Sequence, residues 1–284
     1  MTTKSILPIA CMLAVLATFT ACQKDKTNSL AEIETTFEVS ENQATADVYT
    51  EDAADVTEEA TARFGLYGSA SLCNLPITMN WIGTCATVTV SGNFPTKNIR
   101  VDFGTGCTSP NGVVRKGIIN ILLSDSVRVS GSVATTTFEN YFVNGFKKEG
   151  TIIRTNTTAA GSINRSMNRT VVNGRITTPA GRVFTHSANI NITQTAGGST
   201  PCDIRDDVYN LTGTRTATNA QGNTRTSTTL TPLQKKMNCA NIDQGTLQVQ
   251  GPNHVAVINF GNGTCDNQAT ISINGRPERN ITLR

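Results

Sequence analysis

The chain has 284 residues, only 5 % of them aromatic, and a formal net charge of +3. The length suits one large domain or two small ones, and so few aromatics leave little of the stacking surface on which single-strand nucleic-acid grooves rely. Two histidines and no Cys-x-x-C pair argue against a zinc ribbon, a thioredoxin-like redox site or a histidine-built metal centre.

Lys4 precedes an apolar stretch from Ile6 to Phe19, and Phe19-Thr20-Ala21-Cys22 closes it. A charged start, a short apolar run and a small-residue cleavage site read as a secretory signal. The run falls short of the roughly 20 residues that a spanning helix needs. The closing string resembles the lipobox of bacterial lipoproteins, in which the cysteine is lipidated and becomes the mature N-terminus. The resemblance implies a signal peptide over 1–21, acyl chains on Cys22 as the membrane anchor, and an oxidising compartment. A cut before Cys11 would leave too short an apolar run ahead of it.

Residues 23–63 carry 11 acidic and three basic side chains, a net −8, whereas residues 64–284 carry +10. High charge and few large apolar groups predict an acidic flexible tether over 22–63, with one helix from about Asp47 to Arg63. The charge split suggests either that leader and domain are simply soluble, the leader keeping the basic domain off wrong surfaces, or that the basic remainder offers a face for an anionic polymer or lipid headgroups. Arg115-Lys116, Lys147-Lys148 and Lys235-Lys236 would form an anion-binding site if they converge, and would serve solubility alone if they scatter.

From Phe64 the pattern changes to strands. Ala86 to Val90, Ile99-Val101-Phe103, Ile271-Ile273 and Ile281-Leu283 alternate with polar residues, the period-two signal of antiparallel strands with one buried face. Gly117 to Leu123 is more continuously apolar and reads as a central strand. Asn-Gly pairs at 111–112, 144–145, 173–174 and 274–275 read as hairpin turns, because both residues tolerate the positive φ of a type I′ turn. Asn219 to Asn223 reads as a fifth turn. The expectation is an all-β domain over 64–284, a large antiparallel sheet of about 12–14 strands by these signals, either a sandwich or one curled sheet.

The two ends of this region resemble each other. Cys85-Ala86 begins a strand that is followed by Val101-Asp-Phe-Gly-Thr-Gly-Cys107, and Cys239-Ala240 begins one followed by Ile258-Asn-Phe-Gly-Asn-Gly-Thr-Cys265. Phe103 and Phe260 should both point inward. Six cysteines in an exported domain allow 15 disulfide pairings. Equivalent copies should pair equivalently, giving Cys85–Cys107 and Cys239–Cys265 and leaving Cys73 to pair with Cys202.

The strings VDFGTGCTSPNG, TTFENYFVNGFKKEGT and INFGNGTCDNQATISINGR together resemble a family of uncharacterised Bacteroidota outer-membrane lipoproteins, over most of residues 73–284. The start Cys22-Gln-Lys-Asp-Lys26 resembles the export signal that places such lipoproteins on the outer face of the outer membrane, although Lys26 stands where a second acid is expected. Asp125-Ser126-Val127 resembles that phylum's O-glycosylation site, and a plain solvent-exposed loop explains it better. The resemblance implies location and no activity.

Catalytic chemistry is thin. His186 and His254 each stand alone in strand-like stretches, with no nucleophile signature nearby. Asp203, Asp206 and Asp207 form a tight carboxylate cluster and a weak calcium candidate without the frame of a known loop; Asp102-Phe103-Gly104 reads as a strand end. Trp81 reads as core, and Tyr141, out of phase with Phe138 and Phe142, as exposed. The reading is a non-enzymatic surface lipoprotein without cofactor. Its partners would be the membrane through its lipid and a glycan (anionic, if the basic pairs converge), matrix or envelope protein, with no nucleic acid. The alternatives are a fibre subunit, which a C-terminal strand free of the sheet would favour, and a periplasm-facing carrier of an anionic or lipidic ligand.

Overall fold

The computed structural model describes residue 1 and residues 19–66, 81–201 and 203–283, with backbone alone for 19–28. Cys11, Cys73 and Cys202, and most of the signal-peptide segment, lie outside the described residues. A helix, α1 (Phe19–Arg63), precedes β1 (Thr87–Ser91), β2 (Lys97–Asp102), β3 (Cys107–Thr108), β4 (Val114–Leu123), β5 (Val133–Val143), β6 (Phe146–Asn156) and β7 (Ser166–Thr177). Then come β8 (Val183–Ala196), β9 (Val208–Thr218), β10 (Thr224–Lys236), β11 (Gln244–Gln250), β12 (Val255–Asn262), β13 (Gln268–Ile273) and β14 (Arg279–Thr282).

All the strands belong to one 14-stranded antiparallel sheet in sequence order, with β3 as a short branch on β4. The domain is therefore all-β in its sheet and neither a sandwich nor a closed barrel; β1 and β14 are its edges among the described residues. The alternation that predicted the strands sets the two faces. Ile99 and Val101 on β2, Leu247 and Val249 on β11, and Ile271 and Ile273 on β13 are buried, as are Phe103 and Phe260 of the repeat. The bridges Cys85–Cys107 and Cys239–Cys265 are formed, with Cα atoms 5.5 and 5.4 Å apart.

The Asn-Gly pairs divide into turns and one exception. Asn144-Gly145 joins β5 to β6 and Asn274-Gly275 follows β13, both pairs at positive φ. Asn173-Gly174 lies inside β7 and makes no hairpin: Asn173 (φ 52°) bulges opposite Gly150, where the ladder shifts register. A Cβ on Gly150 would come within 2.6 Å of the Asn173 carbonyl oxygen, so the bulge requires glycine there.

A second bulge corrects the expectation for Tyr141. Asn140 (φ 44°) inserts an extra outward residue after Glu139, opposite Gly117. The phase of β5 therefore flips, and Tyr141 and Val143 turn inward with Phe138. Tyr141 is fully buried, its ring 5.5 Å from that of Phe138 and 5.9 Å from that of Phe103.

The helix corrects the larger expectation. Residues 22–63 are not a flexible tether, because α1 runs through the concave side of the sheet and shares one core with it. Between Ala46 and Ala62 only Ala54 escapes full burial, so about 25 Å of helix is enclosed on every side. Val48, Tyr49, Val56 and Ala60 join the same apolar cluster as Ile119, Ile192, Leu211 and Ile258. Small residues at Ala46, Ala53, Thr57, Ala60 and Thr61 let the strands approach closely. Helix and sheet form one folding unit, so the boundary expected at residue 64 does not separate two bodies. No helix of the described residues is long and apolar enough to cross a membrane.

A chain beginning at residue 64 should therefore fail to fold. It should show no cooperative thermal transition by circular dichroism, and adding residues 29–63 as a separate segment should restore one. A cooperative transition without the helix would contradict this account.

Candidate functional site

The carboxylates of α1 and the inward cations of the sheet meet in a buried seam. Asp47, Glu51, Asp55 and Glu58 follow one another at spacings of three or four residues, which stacks them along one face of a helix. Asp52 and Glu59, seven apart, lie on another. Arg215 of β9 donates from Nε to Asp47 at 2.9 Å. Arg169 of β7 grips Glu51 with both terminal nitrogens, one of them at 3.0 Å. Lys235 of β10 lies 3.1 Å from Asp55. Arg154 of β6 and Arg165, just before β7, share Glu58.

On the other face Arg115 of β4 holds Asp52 through Nε at 3.0 Å and Nη2 at 2.5 Å. Its Nη1 donates to the Trp81 carbonyl and to Ser109 Oγ. The Tyr141 hydroxyl donates to Asp52 at 3.2 Å. Glu59 accepts the backbone N–H groups of Trp81 and Ile82 at 2.9 and 2.8 Å, and Arg63 pairs with Glu59. Trp81 is core, as expected. Outside the enclosed stretch, Glu34 pairs with Arg279, and Glu32 lies 3.6 Å from His254.

This seam decides the basic pairs against a shared anion site. Neighbouring residues on a strand point to opposite faces, so each basic pair is split by the pleat. Arg115, Lys148 and Lys235 point inward, and the anions they find are the helix's own carboxylates. Lys116 sits 4.1 Å above the Phe142 ring, Lys147 pairs with Glu149, and Lys236 pairs with Asp243. The −8 and +10 halves of the sequence largely neutralise one another inside the molecule.

The calcium candidate also disperses. Asp203 caps a short 3-10 turn and accepts from Arg205, Asp206 accepts from Thr200, and buried Asp207 accepts from Gln194 and Tyr209. Among the described residues the one close group of metal-type ligands is Cys239, Asp243 and Cys265, and both of its sulfurs are committed to the disulfide. Asp102 accepts from Gly104 and Arg100, as a strand end should. Ser126 is buried, which argues against the O-glycosylation resemblance and also corrects the solvent-exposed loop expected in its place.

Burial shifts several seam groups. It pushes Lys148 down to about 7, with nearby Arg169 acting in the same sense and the carboxylates of Asp52, Asp47 and Glu51 opposing. It pushes Asp55 up to about 7 against the pull of Lys235, and Asp207 up to about 6 against the Tyr209 hydrogen bond. Burial and Lys148 hold His186 well below its usual value; its ring fills the space that a side chain at Gly174 would take. Burial would lower Arg115, but Asp52 overcomes it and keeps the guanidinium charged. Lys148 donates to Thr50 Oγ1 at 3.2 Å and is 2 % exposed, so this amine faces the helix and not solvent. A cavity of about 40 Å³ lies among Asp55, Arg154, Arg169, Tyr209 and Lys235, room for about one ordered water.

No known family, curated protein or solved structure matches this chain.

Two measurements test the seam. Asp52→Ala leaves Arg115 charged and buried without its carboxylate, and should cost about 3–5 kcal/mol in urea denaturation. Replacing the pair together, Asp52→Leu with Arg115→Met, should recover most of that loss. For Lys148, the unfolded chain binds more protons than the folded one between about 7 and its ordinary 10.5, so its contribution makes stability rise with pH through that window. Lys148→Met should flatten the rise, raising the urea midpoint more at pH 7 than at pH 9. Parallel profiles for the two proteins would refute the assignment.

Proposed function

We propose that this protein is a non-enzymatic, lipid-anchored envelope protein that presents the outside of its curled sheet to partners at the cell surface. The observation that carries this reading is the partition of its chemistry. The ionic groups of the inner face are spent on the helix, and the outer face of the sheet is what remains for a partner. Acyl chains on Cys22 would be the anchor, as its lipobox resemblance implies. From Cys22 the helix backbone runs 11 residues before Ile33, the first of its buried apolar residues, a rise of about 16 Å. The body would therefore ride close to the bilayer on a helical spacer.

Two observations favour display over the alternatives. The interior that a carrier would need is taken by α1, and a cavity of about 40 Å³ is far below the roughly 300–1,000 Å³ of ligand sites. A fibre subunit that donates its last strand would leave it free, whereas β14 pairs with β13 through Gln268↔Thr282 and Ala269↔Ile281.

Protease shaving of intact cells carrying an epitope tag after Arg284 tests the reading. The tag should disappear without lysis, and the protein should incorporate a labelled fatty acid that Cys22→Ala abolishes. Full protection of the tag, or fatty-acid labelling that does not depend on Cys22, would overturn surface display through that anchor.

A further inference from the structure

The outer face of β8 to β11 has an unusual composition. Every outward side chain from Thr185 to Thr195 on β8, from Asn210 to Thr218 on β9, from Thr224 to Thr228 on β10 and along β11 is Ser, Thr, Asn or Gln. About 25–35 % of an ordinary domain surface is charged. These positions carry no charge and no large apolar side chain, in a chain with 45 charged residues.

The strand register arranges them in rows. Thr170, Asn189, Thr214, Thr228 and Gln248 lie directly opposite one another across five consecutive strands. Strands lie about 4.8 Å apart, so this row spans about 19 Å. Ser187, Thr216, Thr226 and Gln250 form the next row, about 6.8 Å along the strands.

A groove of about 370 Å³ crosses this face over β7 to β9, lined by Asn173, Arg175, Thr185, Ser187, Thr216 and Thr218. The bulged Asn173 forms one wall. The one cation on its rim, Arg175, is paired with Glu149 at 3.1 Å.

We propose that this groove and its flanking rows bind a neutral polysaccharide. Hydroxyls and amides both donate and accept, which matches the mixed donors and acceptors of uncharged sugar hydroxyls. An anionic polymer or nucleic acid would call for unpaired cations, and a protein partner for aromatic or arginine anchors at the centre of the contact; the groove's one arginine, Arg175, lies on its rim paired with Glu149, and no aromatic ring lines it. Without an aromatic platform each sugar is held weakly, so binding depends on many equivalent contacts to a repeating chain. The inference rests on the display reading, for which it names the partner.

The test uses the full-length protein in detergent, passed through affinity gels of neutral glucan, mannan and xylan, and of anionic alginate and heparin. At least one neutral polymer should retard it, retardation should persist at about 0.5 M salt because no ion pairs are screened, and the matching disaccharide should not compete. Ser187→Glu with Thr214→Glu should weaken retardation about tenfold or more at unchanged melting temperature. Thr87→Glu with Thr89→Glu, on β1, should leave it intact. If the first pair lowers the melting temperature, Thr214→Val with Thr216→Val keeps the strand shape, removes two hydroxyls and should weaken retardation in the same direction. Retention by no neutral polymer, salt-sensitive retention by the anionic gels alone, or undiminished retention of the folded groove variants would overturn the proposal. The shaving experiment is independent of these outcomes, so a displayed protein without glycan binding is recognisable as such.

Discussion

Taking a carboxylate out of water costs several kcal/mol even after the surroundings relax, and α1 carries Asp47, Glu51, Asp52, Asp55, Glu58 and Glu59 into the interior. Those costs are offset only where a cation stands opposite, and the sheet provides one for nearly every carboxylate from β4, β6, β7, β9 or β10. The pairs therefore act mainly on geometry. Helical residues follow one another at about 100° around the axis, so slipping the helix by one residue would swing the carboxylates away from Arg115, Arg169 and Arg215 together. Apolar packing supplies the driving force for enclosure, and the ion pairs select one rotation and one depth for the helix. The curl of the sheet follows, since strands from opposite ends of the meander must all reach the same rod.

The strands were legible because each obeys a local rule. Alternation at Ile99-Val101, Leu247-Val249 and Ile271-Ile273 marks the inner face whatever that face covers. The bulges were not legible in the same way. Asn173-Gly174 satisfies the rule for a hairpin turn, and only its pairing opposite Gly150 makes it a bulge; the extra residue at Asn140 likewise reverses the phase of β5 and turns Tyr141 inward. The helix was hidden by its polarity. A buried helix is sought through an apolar stripe, and here carboxylates occupy much of it. A usable signal was nonetheless present in the strands: Arg169 falls in phase with Met167 and Val171, Arg215 with Leu211 and Ala217, and Lys235 with Leu233 and Met237. A cation repeatedly placed in the apolar phase asks for a buried anion, and the acids spaced along residues 47–58 answer it.

This arrangement separates bulk charge from surface charge. The basic excess of residues 64–284 reads from the sequence as solubility or as a face for an anionic partner, yet much of it faces inward. The outer surface of β8, β9, β11 and the Thr224 to Thr228 stretch of β10 is uncharged, although the same strands bear Arg215, Arg225 and Lys235 on their inner face. Opposite faces of the same strands thus carry different chemistry, with ionic contacts inside and hydroxyl and amide groups outside, set by the two-residue repeat of the chain.

The pairing of Glu34 with Arg279, whose guanidinium also lies 4.6 Å from the centre of the Phe37 ring, joins α1 to β14, the first and last described elements of regular structure. Hairpins of the meander can form between neighbours as the chain emerges, but this contact spans 245 positions and needs the terminal strand in place. Because a chain is made N-terminus first, the helix emerges before anything that can enclose it. Its acidic surface would keep that early segment hydrated and unaggregated until the sheet closes round it. The charge that becomes a burden in the finished interior is thus a solubilising feature before the sheet forms.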